Sequence, residues 1–164
     1  MPNNAAILAI GSELLSGQIT NRNSVWISKE LFNYGIATDL HLVVDDIKDK
    51  ISNWIELASK ECDHIFITGG LGPTSDDLTR DAIAAWAGLE LEFEEESWTH
   101  VKEIFARFNR PVPSSNRQQC FFPKGAKVIT NNAGTAFKRL TTPTTKLFIV
   151  TKSGLWEPKI HCYN

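Results

Sequence analysis

The chain has 164 residues, of which 42% are hydrophobic and 22% are charged, and its formal net charge is −2. This length suits one domain with a sizeable core, and the composition is that of a globular protein rather than a disordered one. The small net charge supplies no basic field, so nucleic acid and anionic membranes are not expected as partners.

Cysteine usage and hydropathy predict a cytoplasmic location. Cys62, Cys120 and Cys162 form no Cys-x-x-Cys pair, which favours free thiols in a reducing compartment. The first residues lack the basic start and long apolar core of a signal peptide. Apolar runs of roughly five residues fall far short of the ~20 that span a bilayer, so no membrane contact is expected.

The first part of the chain alternates between two hydrophobic periods. Residues 5–11, an apolar run that ends in glycine, predict a strand buried on both faces. Residues 21–34 predict a helix that Gly35 ends, and residues 36–44, rich in β-branched and aliphatic side chains, predict a second strand. The predicted apolar face of the helix is Ile27, Leu31 and Tyr34.

The next segments continue the alternation. Asp45 or Asp46 is placed to cap a second helix at its N-terminus, and His64–Thr68 predicts a third short strand that leads into two glycines. Residues 78–86 then predict a helix with Gly88 as its C-terminal cap. The predicted stripe of the second helix is Ile47, Ile51, Trp54 or Ile55, and Ala58.

Residues 95–108 predict a further helix whose acidic first turn suits the helix dipole. Residues 110–115 are a linker between elements, and residues 146–150 predict a late strand. The strand–helix alternation predicts one α/β domain over residues 1–164, with three layers and a mostly parallel central sheet. The predicted face of the further helix is Trp98, Val101, Phe105 and Phe108.

The loop after the third predicted strand carries the strongest functional signal. Gly69, Gly70 and Gly72 let the backbone approach a ligand, and the N–H groups of the loop and of the following helix are expected to hold phosphate. Neither the lysine of a G-x-x-x-x-G-K-[ST] loop nor the G-x-G-x-x-G spacing is present. The predicted ligand-binding residues of this segment are Thr68, Gly69, Gly70, Leu71, Gly72, Pro73, Thr74 and Asp76.

Two aspartates end this loop and change the prediction. Asp76 and Asp77 would repel a bare phosphate, so a bound divalent cation is the economical explanation. A hard cation such as Mg2+ takes carboxylate ligands together with phosphate oxygens of the substrate. The alternative is that Asp76 or Asp77 only caps the helix that follows.

Two further acidic segments are predicted to reach the same edge of the sheet. Glu13 and Ser12 come directly after Gly11 and the first strand, and Asp45 and Asp46 come after the second. In open α/β sheets the ligand lies beyond the carboxyl ends of the strands. Three successive strands therefore each bring a carboxylate to one edge, although solvent exposure alone explains any single one of these acids.

Four segments of the chain form recognisable motifs, namely GSELLSGQITNRNS, VVDDI, ITGGLGPTSDDLTRDAI and SSNRQQCFFPKGAKVITNNAGTA. Together they resemble the amino-terminal domain of CinA proteins, which belongs to the superfamily of MoaB- and MogA-like molybdopterin-binding proteins. The last is similar to the family's N-R-x-Q-x-x-x-P-x-G-A-x-x-x-x-N-x-x-G-T-A segment, and the resemblance runs over residues 5–136. It implies a three-layer α/β fold with the ligand at the Gly-Gly-x-Gly loop.

The resemblance also implies roles for single residues. Asp77 and Asp46 match the functional aspartates of the molybdopterin branch, with Asp45 as the alternative to Asp46, and Asp77 and Asp46 are the expected metal ligands. Glu13 matches the glutamate of the family's G-[ST]-E-L-L-x-G turn and joins them as a catalytic carboxylate. Further positions that match family motifs are Gly11, Ser12, Thr79, Asp81, Gly134 and Thr135, of which all but Asp81 are expected to bind the ligand.

The CinA branch is similar to proteins that hydrolyse ADP-ribose to AMP and ribose 5-phosphate with a divalent metal, for which Mg2+, Co2+ and Ni2+ are the candidates. Two alternatives stay open. One is a molybdopterin-binding or adenylyl-transferring protein of molybdenum cofactor biosynthesis, and the other is a nucleotide-binding module without catalysis. Relatives form dimers or trimers, so the resemblance also implies a homo-oligomer.

The chain departs from the family pattern after Ala136. The family continues G-T-A with Pro-Gly and later carries P-G-P-P-x-E, whereas Phe-Lys-Arg follows Ala136 here and Thr-Lys-Ser-Gly follows Val150. Residues 137–164 are therefore an atypical tail, and this departure bears on catalysis because the missing motif lies near the site in the family. The nicotinamide-nucleotide deamidase domain of full CinA proteins is not expected in this chain.

Overall fold

The structure, a computed structural model, describes residues 4–127, 139–141 and 146–149. Its strands are β1 (Asn4–Ile10), β2 (Ala37–Val44), β3 (His64–Thr68), β4 (Leu91–Phe93), β5 (Phe121–Pro123), β6 (Arg139–Thr141) and β7 (Lys146–Ile149). Its helices are α1 (Ser12–Leu15), α2 (Arg22–Asn33), α3 (Lys48–Glu61), α4 (Thr79–Ala87), α5 (Glu95–Arg107) and a 3-10 helix (Ser114–Cys120). Within these residues no helix has the length and hydropathy needed to cross a bilayer.

The main sheet has five described strands in the order β2-β1-β3-β7-β6. Strand β1 is parallel to both β2 and β3, and β3 is parallel to β7, while β6 runs antiparallel to β7. The prediction of a mostly parallel sheet is therefore confirmed. The short strands β4 and β5 form a separate antiparallel pair. Periodicity did not reveal them, because each has only three residues.

The apolar run of β1 is buried on both faces, as its sequence predicts. Ile7 packs with Phe66 of β3 and with helix α2 on one side of the sheet. Leu8 and Ile10 belong to the larger core on the other side, which contains residues of α3 and α4. Helices therefore cover both faces of the sheet, which confirms the three-layer α/β architecture.

Two aromatic residues predicted to lie on buried helix faces are exposed at helix ends. Tyr34 is the C-cap of α2 and Phe108 is the C-cap of α5, so each lies just past the last helical turn. The exposed fraction is 51% for Tyr34 and 72% for Phe108. The helical spacing in the sequence extended the predicted buried face beyond the residue at which each helix ends. The predictions that Tyr34 and Phe108 lie in the core were therefore wrong.

Helix α3 begins without the predicted aspartate cap. Its N-cap is Ile47, and no side chain forms a capping hydrogen bond with the backbone of the first turn. Ile47 and Trp54 are exposed, so Ile55 rather than Trp54 continues the buried face. The residues of α3 that enter the core are Ile51, Ile55 and Ala58. The prediction that Asp45 or Asp46 caps this helix was therefore wrong.

Candidate functional site

The carboxyl ends of β1, β2 and β3 meet at one edge of the sheet, as the α/β pattern predicts. Parallel pairing sets Ile10 beside Val44 and Ala9 beside Thr68. The segments that follow these strands therefore begin side by side. They are the turn after β1, the acidic pair after β2, and residues 69–78 after β3, which are here named the glycine loop.

The glycine loop leaves β3 through two residues whose conformation and packing require glycine. The φ angle is 100° at Gly69 and 61° at Gly70, both in the region that L side chains rarely adopt. A Cβ atom on Gly69 would overlap the carbonyl oxygen of Ile10, and one on Gly70 would overlap Oγ1 of Thr79. The loop is thus wedged between the end of β1 and the start of α4.

The side chains of the first two residues of helix α4 donate hydrogen bonds to carbonyl oxygens of the glycine loop. The hydroxyl of Thr79 donates to the carbonyl oxygen of Gly69 at 2.9 Å. The guanidinium of Arg80 donates to the carbonyl oxygen of Leu71 at 2.7 Å and to that of Gly72 at 3.1 Å. Thr79 and Arg80 are both buried. These contacts fix the backbone of the loop without using its N–H groups.

Arg80 is a functional-site residue that sequence reasoning missed. Its side chain is 4% exposed, and burial lowers its pKa, while the nearby carboxylates of Asp77 and Asp81 act in the opposite direction. The one signal in the sequence was its position within the D-x-T-x-[DE]-A motif, between Thr79 and Asp81. That signal does not say which backbone groups a guanidinium reaches.

Asp77 closes the glycine loop on itself. Its Oδ1 accepts the N–H of Gly72 at 2.7 Å, and its Oδ2 accepts the N–H of Thr74 at 2.9 Å together with the Thr74 hydroxyl. The N-cap of α4 is Leu78, without a side-chain cap, so neither Asp76 nor Asp77 caps that helix and the capping alternative was wrong. In this structure the Gly72 N–H, predicted to hold phosphate, is bonded to Asp77.

A second support for the loop comes from the 3-10 helix. The amide nitrogen of Gln118 donates to the carbonyl oxygen of Thr74 at 2.7 Å, and that of Gln119 donates to the carbonyl oxygen of Leu71 at 3.4 Å. Gln119 is the glutamine of the N-R-x-Q motif. The motif was therefore visible in the sequence, but its contact with the loop depends on the fold.

Asp46 lies against the turn that follows β1. Its Oδ2 accepts the N–H of Ser12 at 2.8 Å. Burial raises the pKa of Asp46; the hydrogen bond from Ser12 acts in the opposite direction, and the negative charges of Glu13, Asp45 and Asp76 raise it further. Three of the predicted site residues, Glu13, Asp46 and Asp76, therefore lie close enough to interact electrostatically.

Asp45 is paired with helix α3. Its Oδ2 forms a salt bridge of 2.8 Å with Lys50 of α3, and its Oδ1 accepts the N–H of Asp46 at 3.1 Å. The hydrogen bond from Lys50 lowers the pKa of Asp45. Of the two alternatives for the acid after β2, the geometry therefore favours Asp46.

The predicted metal ligands are only partly brought together. Among residues 4–127, 139–141 and 146–149, no group of three or more His, Cys, Asp or Glu side chains is arranged to hold a metal ion. Asp77 uses both carboxylate oxygens within the loop, and Asp46 interacts with Glu13 and Asp76 rather than with Asp77. A metal bound by Asp77 and Asp46 stays a prediction. Gly134 and Thr135 lie outside the described residues.

A cavity of about 340 Å³ opens between the turn after β1, the start of α2 and the glycine loop, and is here named the edge cavity. The amide of Asn23 donates to the hydroxyl of Thr68 at 3.2 Å along its wall. The Asn21 side chain caps α2 by accepting the N–H of Ser24 at 3.1 Å. Residues that line the edge cavity include Ile10, Glu13, Arg22, Asn23, Thr68 and Gly69.

Known sequences and a family model match most of the chain. A family model described as "Probable molybdopterin binding domain" matches residues 6–153. Proteins named "Putative competence-damage inducible protein" from Lysinibacillus sphaericus (strain C3-41) and from Acetivibrio thermocellus are each 44% identical over 133 residues. These alignments cover 81% of the chain and 32% of each relative, so the chain spans about a third of the length of these curated relatives.

Solved structures show the same architecture. The CinA protein of unknown function from Thermoplasma acidophilum superposes with a TM-score of 0.81 at 26% identity, over 91% of this chain and 88% of that one. The molybdopterin biosynthesis enzyme MoaB from Thermus thermophilus shares the fold with a TM-score of 0.58 at 16% identity, over 92% and 81% of the two chains. With a family model matched over most of its length, the chain belongs to the family of molybdopterin-binding domains.

Proposed function

We propose that this domain binds a phosphorylated pterin of the molybdopterin class at the carboxyl edge of its sheet. The observation that carries the proposal is the edge cavity, where Arg22 and the amino end of α2 bring positive charge to the end of β3. Membership of the molybdopterin-binding family supports pterin rather than other phosphorylated ligands.

Arg22 supplies the charge that a phosphate group requires. It is the first residue of α2, a helix of 12 residues, so the helix dipole favours an anion at the same place. A guanidinium presents a planar set of donors that matches two phosphate oxygens. Asn23 and Thr68 add an amide and a hydroxyl along the wall, and Glu13 adds an acceptor for ligand N–H or O–H groups.

The size of the edge cavity fits a ligand of this class. Its volume of about 340 Å³ lies at the lower end of the roughly 300–1,000 Å³ that is typical of small-molecule sites. Its lining combines the apolar side chains of Ile10, Leu14 and Ile19 with a few polar groups. That combination is typical of sites in which apolar contact gives affinity and polar groups set orientation.

Ligand binding by variants at Arg22 tests the proposal. Titration calorimetry under anaerobic conditions with molybdopterin should show binding to the unmodified protein. Replacing Arg22 by Gln should weaken binding roughly tenfold, because a charge-assisted pair with phosphate is lost. The matched control Arg107→Gln changes an exposed arginine in the last turn of α5 and should bind normally. Equal affinity of Arg22→Gln and the unmodified protein would contradict the proposal.

The second candidate is metal-dependent hydrolysis of ADP-ribose to AMP and ribose 5-phosphate. The observation that favours it is that Glu13 and Asp76 lie near enough to Asp46 for their charges to add to the effect of burial on its pKa, and a cation beside Asp46 would offset both effects. A divalent ion would neutralise the diphosphate and position a water molecule. In that case Asp46 and Glu13 would hold the ion, and one carboxylate would accept the proton of the attacking water.

Product analysis separates the candidates. ADP-ribose is incubated with the protein and Mg2+, Co2+ or Ni2+, and ATP with molybdopterin is incubated in parallel. Release of AMP with ribose 5-phosphate supports hydrolysis, whereas adenylylated pterin supports transfer, and binding without turnover supports a binding module. If hydrolysis occurs and Asp46→Asn leaves its rate unchanged, Asp46 does not hold the ion, and an unchanged rate in Asp77→Asn shows that Asp77 has no part in the metal site.

A further inference from the structure

Strand β2 forms one edge of the main sheet. It pairs with β1, and no other described strand lies beside it. Its eight residues, Ala37–Val44, include neither lysine nor proline. An unpaired edge presents a row of backbone N–H and C=O groups to other chains, and lysine, proline or a covering element is the usual protection against strand pairing. The β2 edge is therefore a candidate for pairing with a strand of another chain.

The backbone in the second half of β2 is regular enough to receive such a strand. The five residues from Leu40 to Val44 pair one to one with β1, and the register shift between the two strands lies before Leu40. The carbonyl oxygen of Val44 accepts the N–H of Gly11, so this group faces β1. Backbone groups alternate in direction along a strand, so those of His41 and Val43 face away from β1.

Helix α2 places apolar side chains beside this edge on one face of the sheet. One flank of the helix contacts the end of β3 through Asn23. Ser28, on the other flank, forms a hydrogen bond of 3.0 Å with His41 of β2. Val25 and Phe32 lie three and four residues from Ser28, so they share the flank that faces β2. The exposed fraction is 53% for Val25 and 80% for Phe32.

Helix α3 borders the same edge on the other face of the sheet. Ser52 and Glu56 form hydrogen bonds with α4, the helix that follows β3. Trp54 lies on the opposite flank of α3, which is the side of β2, and Ile47 follows β2 closely in the chain. Trp54 and Ile47 are both exposed. Exposed apolar side chains therefore border β2 on both faces, a pattern that is typical of protein–protein contact sites.

The sequence of β2 is complementary to a second copy of itself. Two antiparallel registers about a two-fold axis overlap nearly the whole strand, with either Leu40 or His41 on the axis. With Leu40 on the axis, Asp39 lies opposite the partner's His41, and Ala37 lies opposite the partner's Val43. With His41 on the axis, two histidines face each other and Asp39 faces Val43. The first register sets polar against polar and apolar against apolar, which stabilises cross-strand pairs.

Asp39 and His41 each have an atom available for this contact. Oδ2 of Asp39 accepts the side-chain amide of Asn4 at 2.7 Å, and Nε2 of His41 is bonded to Ser28. Among the described residues, neither Oδ1 of Asp39 nor Nδ1 of His41 has a hydrogen-bond partner. The two-fold axis would repeat the pair on both of its sides, so the charges select both the second copy and its register.

We infer that the β2 edge, bordered by Val25, Phe32, Ile47 and Trp54, is a self-association surface on which two copies of the chain pair their β2 strands. The two-fold axis passes Leu40, and the two main sheets join into one continuous sheet. No residue of β2 lines the edge cavity, so this association stands or falls independently of the proposed function.

Sedimentation velocity over a concentration series tests the association. The unmodified protein should be a dimer that dissociates on dilution. Val43→Lys puts a charge on the edge and Phe32→Ser removes an apolar contact, so each should raise the dimer Kd roughly tenfold or more. The matched control Phe108→Ser changes a similarly exposed phenylalanine at the end of α5 and should dimerise normally. Thermal melting establishes that all variants are folded.

Two results would overturn the inference. One is a monomer at every concentration up to about 0.3 mM, which would leave an extended segment of another protein as the remaining occupant of the edge. The other is a dimer whose Kd is the same in Val43→Lys and in the unmodified protein, which would place the contact elsewhere on the surface.

Charge exchange tests the register. His41→Asp sets two aspartates opposite each other and should weaken the dimer roughly tenfold, because like charges directly across two strands repel. Adding Asp39→His to this variant restores an opposite pair and should recover most of the affinity. A double variant that is as weak as His41→Asp alone would show that residues 39 and 41 do not meet across the axis, and would overturn the register.

Disulfide cross-linking gives an independent readout on a Cys162→Ser background. A mixture of Ala37→Cys and Val43→Cys proteins should cross-link rapidly, because the two positions are opposite each other when Leu40 is on the axis. A mixture of Asp39→Cys and Val43→Cys should cross-link more slowly, since these positions are opposite only when His41 is on the axis. The reverse order of rates would overturn the inferred register.

Discussion

The carboxylate of Asp77 accepts the backbone N–H of Gly72 at 2.7 Å, and the space beside Gly72 is filled by that same carboxylate. A Cβ atom on Gly72 would lie 2.5 Å from Oδ2 of Asp77. The two residues are therefore coupled. The turn between them can form because the absence of a Cβ atom on Gly72 leaves room for the Asp77 carboxylate. The glycine loop is thus closed by an acid of the chain itself, a role that differs from the predicted metal ligand.

Substituting Gly72 and Asp77 separately and together measures this coupling. We expect Gly72→Ala to cost about 1–3 kcal/mol, as overpacking does in well-packed sites. Asp77→Ala should cost a similar amount, because the N–H groups of Gly72 and Thr74 lose their acceptor. In the double variant the clash is absent, so the combined cost should fall short of the sum by roughly 1 kcal/mol. Urea unfolding measures all four proteins, and strict additivity would show that the two residues do not meet.

Removing the guanidinium of Arg80 should destabilise the glycine loop and lower the stability of the protein. In Arg80→Met the carbonyl oxygens of Leu71 and Gly72 lose their donors, which should cost about 1.5–3 kcal/mol. For a domain of this size each kcal/mol lowers the melting temperature by about 2–4 °C. Arg80→Lys keeps a charge without the planar fork and should recover only part of the loss. Arg107→Met serves as the control at an exposed arginine. If Arg80→Met and Arg107→Met have the same melting temperature, the hydrogen bonds of Arg80 to the loop do not stabilise the protein.

The layers of the fold were predictable because they depend on local pattern. The run from Ala5 to Ile10 is apolar at every position, which is expected only of a strand covered on both faces. Gly88 adopts φ of 65° at the end of α4, the left-handed cap that a glycine after a helix predicts. Parallel pairing then brings the carboxyl ends of the first three strands together, as the α/β order implies.

The contacts within the site were not predictable in the same way. In the sequence, nothing distinguishes Arg80 from an exposed surface arginine. In the structure its guanidinium binds the glycine loop because the carbonyl groups of Leu71 and Gly72 are turned toward α4. Asp77 precedes a helix, so local rules assign it to capping. Its observed bonds depend on a turn that the 3-10 helix also supports through Gln118, a partner 44 residues from Thr74. Such pairings arise from the tertiary fold and leave no periodic signal.

The raised pKa of Asp46 predicts a pH-dependent stability difference. Its folded pKa lies above the ordinary aspartate value of 3.8, mainly through burial. Between 3.8 and the folded pKa the native state binds more protons than the unfolded state, so the contribution of Asp46 to stability falls as pH rises through this window. The Asp46→Asn variant has no carboxyl group to ionise, so its stability does not fall in this pH window. Its amide oxygen still accepts the N–H of Ser12. It should be more stable than the unmodified protein at neutral pH, and the gain should vanish below pH 3.8.

Chemical denaturation at several pH values measures this difference. The matched control is Asp49→Asn, which removes an exposed acid of α3 and should show no gain that disappears on acidification. A stability gain of Asp46→Asn that persists unchanged at low pH would show that the effect comes from packing rather than ionisation. In that case burial of the ionised Asp46 carboxylate would not be what destabilises the unmodified protein.

The same carboxyl group reports directly on a divalent cation. If Mg2+, Co2+ or Ni2+ binds where Glu13, Asp46 and Asp76 interact, the added positive charge must favour ionised Asp46 and lower its pKa. Carbon-detected NMR titration of the side-chain carboxyl groups, with and without Mg2+, follows Asp46 while Asp49 serves as an internal reference in the same spectra. The paramagnetic ions Co2+ and Ni2+ would in addition broaden the signals nearest to them. If the pKa of Asp46 is the same with and without Mg2+ and no signal is selectively broadened, no metal ion binds at this edge of the sheet. Pterin binding is then the function that the geometry supports.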